Sequence, residues 1–186
     1  MKCKTWFFCI VTLVYTNSVF AALPLGKKPA VFTLEDKCGG RLDGTPWSSS
    51  EVGGVVTAVF YVDPDESDAN EPLYQALKKA GFPDGTVKSI AIINMRATWK
   101  PAGIISMILK RKQKKYSKTL YVVDNCKNGI DCWNFADNAS NVLLFNQQGE
   151  VIFCCDGALT EKQVKEVVAL VWKTSGKKKP DHAGLE

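Results

Sequence analysis

Residues 55–77, VVTAVFYVDPDESDANEPLYQAL, decide the fold of this 186-residue chain. Val56 to Val62 is β-branched and aromatic with almost no polar interruption, the pattern of a central strand covered on both faces. Residues 68–80 follow with Leu73, Ala76, Leu77 and Ala80 at helical spacing, and Gly81-Phe82-Pro83 closes the helix. Between strand and helix stand Asp63, Asp65, Glu66, Ser67 and Asp68.

The flanking sequence extends this unit in both directions. Upstream, Val31-Phe32-Thr33-Leu34 reads as a strand, residues 37–41 as a Gly-rich turn and residues 42–47 as the returning strand of an N-terminal hairpin. Downstream, Val87 to Asn94 is a second buried strand. Pro101 suits the first turn of a helix whose apolar face is Ile104, Ile105, Ile108 and Leu109. Residues 120–123 form a third strand, and residues 141–145 and 151–155 pair through the turn Asn146-Gln147-Gln148-Gly149. Thr160 and Gln163 make a T-x-x-Q capping box for a last helix lined by Val164, Val167, Val168 and Val171. The order is a hairpin, then β-α-β-α-β, then β-β-α, which builds an α/β sheet with helices on both faces.

Residues 1–21 have the layout of a cleaved secretory signal, with Lys2 and Lys4, a short apolar run, and small residues before a cleavage point after Ala21. Residues 22–175 then form one domain, and residues 176–186, with no apolar pattern, a disordered basic tail. The chain carries 24 Lys and Arg against 19 Asp and Glu. Removing the signal takes two of the lysines, and the small positive balance left gives no reason to expect nucleic acid. No further apolar stretch has membrane length.

The expected exported chain keeps five cysteines, Cys38, Cys126, Cys132, Cys154 and Cys155, and disulfides suit an oxidising compartment. Cys126 and Cys132 form a C-x5-C whose leading reading is a local structural clip. Two separate thiols or a working redox pair are the alternatives. Cys154 and Cys155 are neighbours on a strand and should point to opposite faces.

A family resemblance is carried by several stretches. Pro29-Ala30-Val31-Phe32-Thr33-Leu34 and the glycine and strand of residues 53–62 resemble exported thioredoxin-like and peroxiredoxin-like proteins. The run from Val142, VLLFNQQGEVIFCCDGALTEKQVKEVV, resembles the YtfJ-type periplasmic thioredoxin-like family, most specifically at Asp156-Gly157-Ala158-Leu159-Thr160. The resemblance implies a thioredoxin-like fold with an N-terminal β-hairpin and residence in a Gram-negative periplasm. It implies no particular reaction, because fold does not carry function.

Set against that fold, Asp65, Glu66, Ser67 and Asp68 occupy the place of a C-x-x-C. No cysteine lies between Cys38 and Cys126. Without a thiolate there, neither thioredoxin-type exchange nor peroxidatic attack has a nucleophile. Ser140 stands where the fold has its cis-proline, so the site is degenerate at two places. The acids suit a helix N-terminus, and a divalent-cation site is the sharper alternative, although the spacing fits no calcium-loop template. No metal or other cofactor is expected, the sole histidine being His182 in the tail.

The densest charge cluster is Lys110, Arg111, Lys112, Lys114 and Lys115. A solvated helix end is its ordinary role. The alternatives are an acidic partner or an anionic membrane surface. The expectation is a periplasmic binding or accessory module acting on a small molecule or another periplasmic protein. Its rival is an atypical thiol-redox protein using Cys126 with Cys132, or the Cys154-Cys155 pair.

Overall fold

A computed structural model describes residues 23–178. The expected signal segment and the tail beyond residue 178 lie outside the described residues. Among the described residues eight strands and four α-helices follow one another as β1 (Thr33–Leu34), β2 (Gly39–Arg41), β3 (Trp47–Ser48), β4 (Val56–Val62), α1 (Glu71–Lys79), β5 (Val87–Asn94), α2 (Ala102–Lys115), β6 (Thr119–Asp124), α3 (Asn128–Trp133), β7 (Ser140–Phe145), β8 (Val151–Cys155) and α4 (Glu161–Ser175). Six strands form one sheet in the order β2-β6-β5-β4-β7-β8. Strands β4, β5 and β6 are parallel, and β2, β7 and β8 run antiparallel to their neighbours.

The all-apolar reading of β4 is explained by its place at the middle of this sheet. Every residue of β4 is buried, and successive side chains enter two different cores. Val56, Ala58, Phe60 and Val62 meet Leu73 and Leu77 of α1, Ile105 and Leu109 of α2, and Val167 and Val171 of α4. Val59 and Tyr61 enter the opposite core with Phe32, Leu34, Trp47, Trp133 and Phe135. Each fully buried leucine or valine contributes roughly 2 kcal/mol through the apolar surface it removes from water. The faces are covered unequally. Three long helices share one face, while the other is closed by short α3 and the small β1-β3 sheet.

The N-terminal hairpin exists but is interrupted. β1 pairs antiparallel with β3, as Thr33 with Ser48 and Leu34 with Trp47. The segment expected to turn between them, residues 37–41, instead contains β2, which leaves the hairpin and joins the edge of the main sheet beside β6. Gly39 and Gly40 permit this: both have positive φ, and a Cβ on either would collide with the backbone of Val123 or Thr45.

The far end of the domain follows its local signals. Gly149 closes the β7-β8 turn at φ 78° with its N–H donating to the Asn146 carbonyl at 3.0 Å. Thr160 Oγ1 accepts from the Gln163 N–H at 3.3 Å, and Gln163 Oε1 accepts from the Thr160 N–H at 2.9 Å, completing the capping box of α4.

Candidate functional site

The carboxyl ends of the parallel strands are marked by buried polar residues, Asp63 just after β4, and Asn94 and Asp124 as the last residues of β5 and β6. Carboxyl ends of parallel strands are where open α/β sheets place their ligand sites. Asp63 caps a single 3-10 turn, Pro64–Glu66, by accepting the Asp65 N–H at 3.0 Å. Burial raises its carboxyl above the usual carboxylate range. Asp65 pairs instead with Lys100 from the segment before α2, and that ammonium lowers its carboxyl.

Helix α1 therefore starts later than its spacing suggested, at Glu71, and the acids of residues 65–68 occupy the 3-10 turn and the link that follows it. The residue that organises this junction is Asn70, which the sequence reading passed over. It is buried, and its Nδ2 donates to the Ser140 carbonyl at 2.8 Å, to Ser140 Oγ at 3.1 Å and to the Gly157 carbonyl at 3.0 Å. Its Oδ1 accepts from the Leu159 N–H at 3.0 Å. One amide thus ties the start of α1 to the first residue of β7 and to the D-G-A-L-T segment. The one legible hint was position, an Asn one residue ahead of Glu71-Pro72 where a helix begins.

Ser140 sits opposite Val62 in the β4-β7 ladder, so it lies beside the strand end that leads into the 3-10 turn. No cis peptide bond occurs among the described residues.

Helices α1 and α2 stand apart over β4, β5 and β6, leaving a cleft of about 560 Å³. Its floor is Phe60, Val62, Ala91, Ile93 and Tyr121, and Tyr74 and Ile108 are among its walls. Ser67, Asp68, Asn70, Glu71, Lys100 and Lys112 supply polar atoms around it. An apolar floor with a few convergent polar groups, at this volume, is the form of a small-molecule site. No cysteine lines the cleft, and no group of three or more His, Cys, Asp or Glu side chains among the described residues is placed to hold a metal.

The thiols lie elsewhere, and one expectation is corrected. Cys126 is bonded to Cys38, with Cα atoms 5.0 Å apart, and not to Cys132, which is a free thiol. The reason is strand β2. Gly39 pairs with Asp124 at the sheet edge, and the Asn125 N–H donates to the Cys38 carbonyl at 3.0 Å, which brings Cys38 against Cys126. Residues 128–131, between Cys126 and Cys132, begin α3, and Cys132 rides on its last turn.

Asp124 holds that helix. Fully buried, it accepts from Tyr61 Oη at 3.0 Å and from the N–H groups of Cys126 and Gly129, each at 2.9 Å. Burial and the Asp124 charge together raise the Tyr61 hydroxyl pKa. Trp133 is 1% exposed in the same core, and its Nε1 donates to the Ala30 carbonyl at 2.7 Å.

Cys154 and Cys155 face opposite sides of β8 and pack against the two different cores. Burial pushes Cys154 up to about 11 and raises Cys132 and Cys155 as well. Each free thiol is thereby held away from the thiolate that exchange chemistry needs.

A second correction concerns α2. Of the four residues expected on its apolar face, only Ile105 and Leu109 are buried; Ile104 and Ile108 are exposed. The basic residues Lys110, Arg111, Lys114 and Lys115 are exposed and Lys112 partly so.

Fold and site together define a thioredoxin-like domain with no cysteine at the junction of β4 and α1. The chain belongs to the family described as "Bacterial protein of unknown function (YtfJ_HI0045)", whose model matches residues 34–174. It is similar to the uncharacterized protein YtfJ of Escherichia coli, at 25% identity over 130 residues, covering 68% of this chain and 71% of that one. An uncharacterized protein of Haemophilus influenzae is 22% identical, covering 68% and 70%. Among solved structures, the thioredoxin domain of a thiol-disulfide oxidoreductase from Bacteroides vulgatus superposes with a TM-score of 0.56 at 14% identity, covering 81% of this chain and 99% of that chain. That likeness is one of fold.

Proposed function

We propose that this protein is a periplasmic binding or accessory module that uses the thioredoxin-like scaffold to hold a small molecule or another periplasmic protein, without thiol-disulfide exchange. The carrying observation is the cleft between α1 and α2: it opens where the strand-to-helix junction lies, and no thiol lines it. In this reading Asp65, Glu66, Ser67, Asp68 and Ser140 are the degenerate remnant of a dithiol site, and the neighbouring cleft does the work. The basic-start, apolar-run layout of residues 1–21 and the oxidised Cys38–Cys126 pair both suit an exported protein.

Saturable binding of the fluorescent anion 8-anilinonaphthalene-1-sulfonate to the folded protein tests the cleft. Ala91→Leu, which puts a larger side chain on the cleft floor, should weaken it at least tenfold. Ser106→Ala, outside the cleft, should leave it unchanged. Equal binding by the Ala91→Leu variant, with its melting transition retained, would overturn the assignment.

A further inference from the structure

The segment from residue 95 to residue 118 contains eight cations, Arg96, Lys100, Lys110, Arg111, Lys112, Lys114, Lys115 and Lys118, and no carboxylate. Two of them are committed elsewhere, Lys100 to Asp65 and Lys118 to Asp84. Lys115 lies over the Tyr116 ring at 5.1 Å. Among the described residues Lys110, Arg111, Lys112 and Lys114 have no carboxylate partner.

Lys110, Arg111 and Lys114 share the outer surface of α2 with apolar side chains that the fold leaves uncovered. Trp99, just ahead of the helix, is 84% exposed, Met107 is 49% exposed and Ile104 47%. Ile104 and Met107 lie outside the cleft, whereas Ile108 lines it beside Ile105 and Leu109. Beside them Gly103, Ser106, Met107, Lys110, Arg111 and Lys114 line a shallow depression of about 360 Å³. The helix therefore presents Ile104 and Met107 at its N-terminal half, just after the exposed indole of Trp99, and a carboxylate-free cluster of cations at its C-terminal half.

We infer that the outer face of α2, with Trp99, docks on an anionic lipid bilayer. Charge complementarity selects the occupant. Unpaired cations meet lipid phosphates, and the depression between Met107 and Arg111 accommodates a headgroup. Trp99, Ile104 and Met107 reach the acyl boundary, where an indole is favoured. Neither element suffices alone, because the exposed apolar area is small and a cationic patch is screened by salt. Together they give the two-component attachment that holds peripheral proteins reversibly. The inference does not depend on the cleft binding a ligand.

Co-sedimentation of the exported chain with vesicles of phosphatidylglycerol and phosphatidylcholine tests it. Retention should require phosphatidylglycerol and fall as salt rises. The triple variant Lys110→Gln, Arg111→Gln, Lys114→Gln should partition about 100-fold more weakly, from roughly fivefold per charge near an anionic surface. Trp99→Ser with Met107→Ser should weaken retention while leaving its salt dependence. All substituted residues are on the surface, and circular dichroism verifies folding. Equal retention of the triple variant, equal binding to phosphatidylcholine alone, or no binding would each overturn the inference, as would displacement by inorganic phosphate beyond that by chloride at matched ionic strength. Capture of an acidic protein in place of vesicles would contradict it equally. The cleft assignment survives any of these outcomes, since anilinonaphthalene sulfonate binding reads the cleft, which none of the substituted residues lines.

Discussion

The side-chain amide of Asn70 donates to both the carbonyl and the hydroxyl of Ser140, at 2.8 and 3.1 Å, and thereby joins the start of α1 to the start of β7. The same amide group also holds Gly157 and Leu159. Replacing it leaves buried acceptors and a donor without partners, each costing roughly 1–3 kcal/mol. Asn70→Ala should therefore lower unfolding free energy by about 3 kcal/mol in urea melts. Asn70→Asp should be comparably damaging, because a carboxylate cannot donate to the Ser140 and Gly157 carbonyls.

Gly129 abuts Tyr61, and a Cβ at this position would run into the aromatic ring. Gly129→Ala should cost about 2 kcal/mol by overpacking. The penalty should shrink in a Tyr61→Leu background, where the ring is gone. A double-mutant cycle on melting data measures that coupling, and additive costs would show that the contact is not the cause.

The Cys38–Cys126 bond clasps β2 to the end of β6 across 88 residues of sequence. Peptide mapping after alkylation, with and without reduction, should find Cys132, Cys154 and Cys155 as thiols and Cys38 with Cys126 as the bonded pair. Cys126→Ser should destabilise the domain by about 3 kcal/mol. Cys132→Ser should leave the disulfide intact.

Cys154 titrates near 11, above its ordinary value of 9. A thiol whose folded pKa is raised favours the folded state in its neutral form. That contribution is complete below pH 9 and is lost as pH rises through about 11. Wild type should thus lose stability over this window relative to Cys154→Ala, measured as the difference between their melting temperatures at matched pH. At pH 8, alkylation of Cys154 in the folded protein should be far slower than that of a free cysteine.

Much of this architecture was legible because its signals are local. β4 announced itself through seven consecutive apolar or β-branched residues, α4 through Thr160 and Gln163, and the β7-β8 turn through Gly149. What the sequence hid depends on partners far along the chain. Residues 39–41 have turn-like composition, and only their pairing with β6 makes them a strand, so the proximity of Cys38 to Cys126 had no local mark. Periodicity placed Ile104, Ile105, Ile108 and Leu109 together, but the arc they span is wider than the contact that the sheet makes, and only Ile105 and Leu109 fall within it. The cleft likewise arises from the gap between α1 and α2, which no single segment encodes.

The central claim, a thioredoxin-like scaffold that binds without exchanging disulfides, meets its most direct test in insulin reduction by the purified protein with dithiothreitol as electron donor. The account predicts a rate no faster than dithiothreitol alone. Turnover above that background, abolished by Cys126→Ser in a variant that still folds, would contradict it.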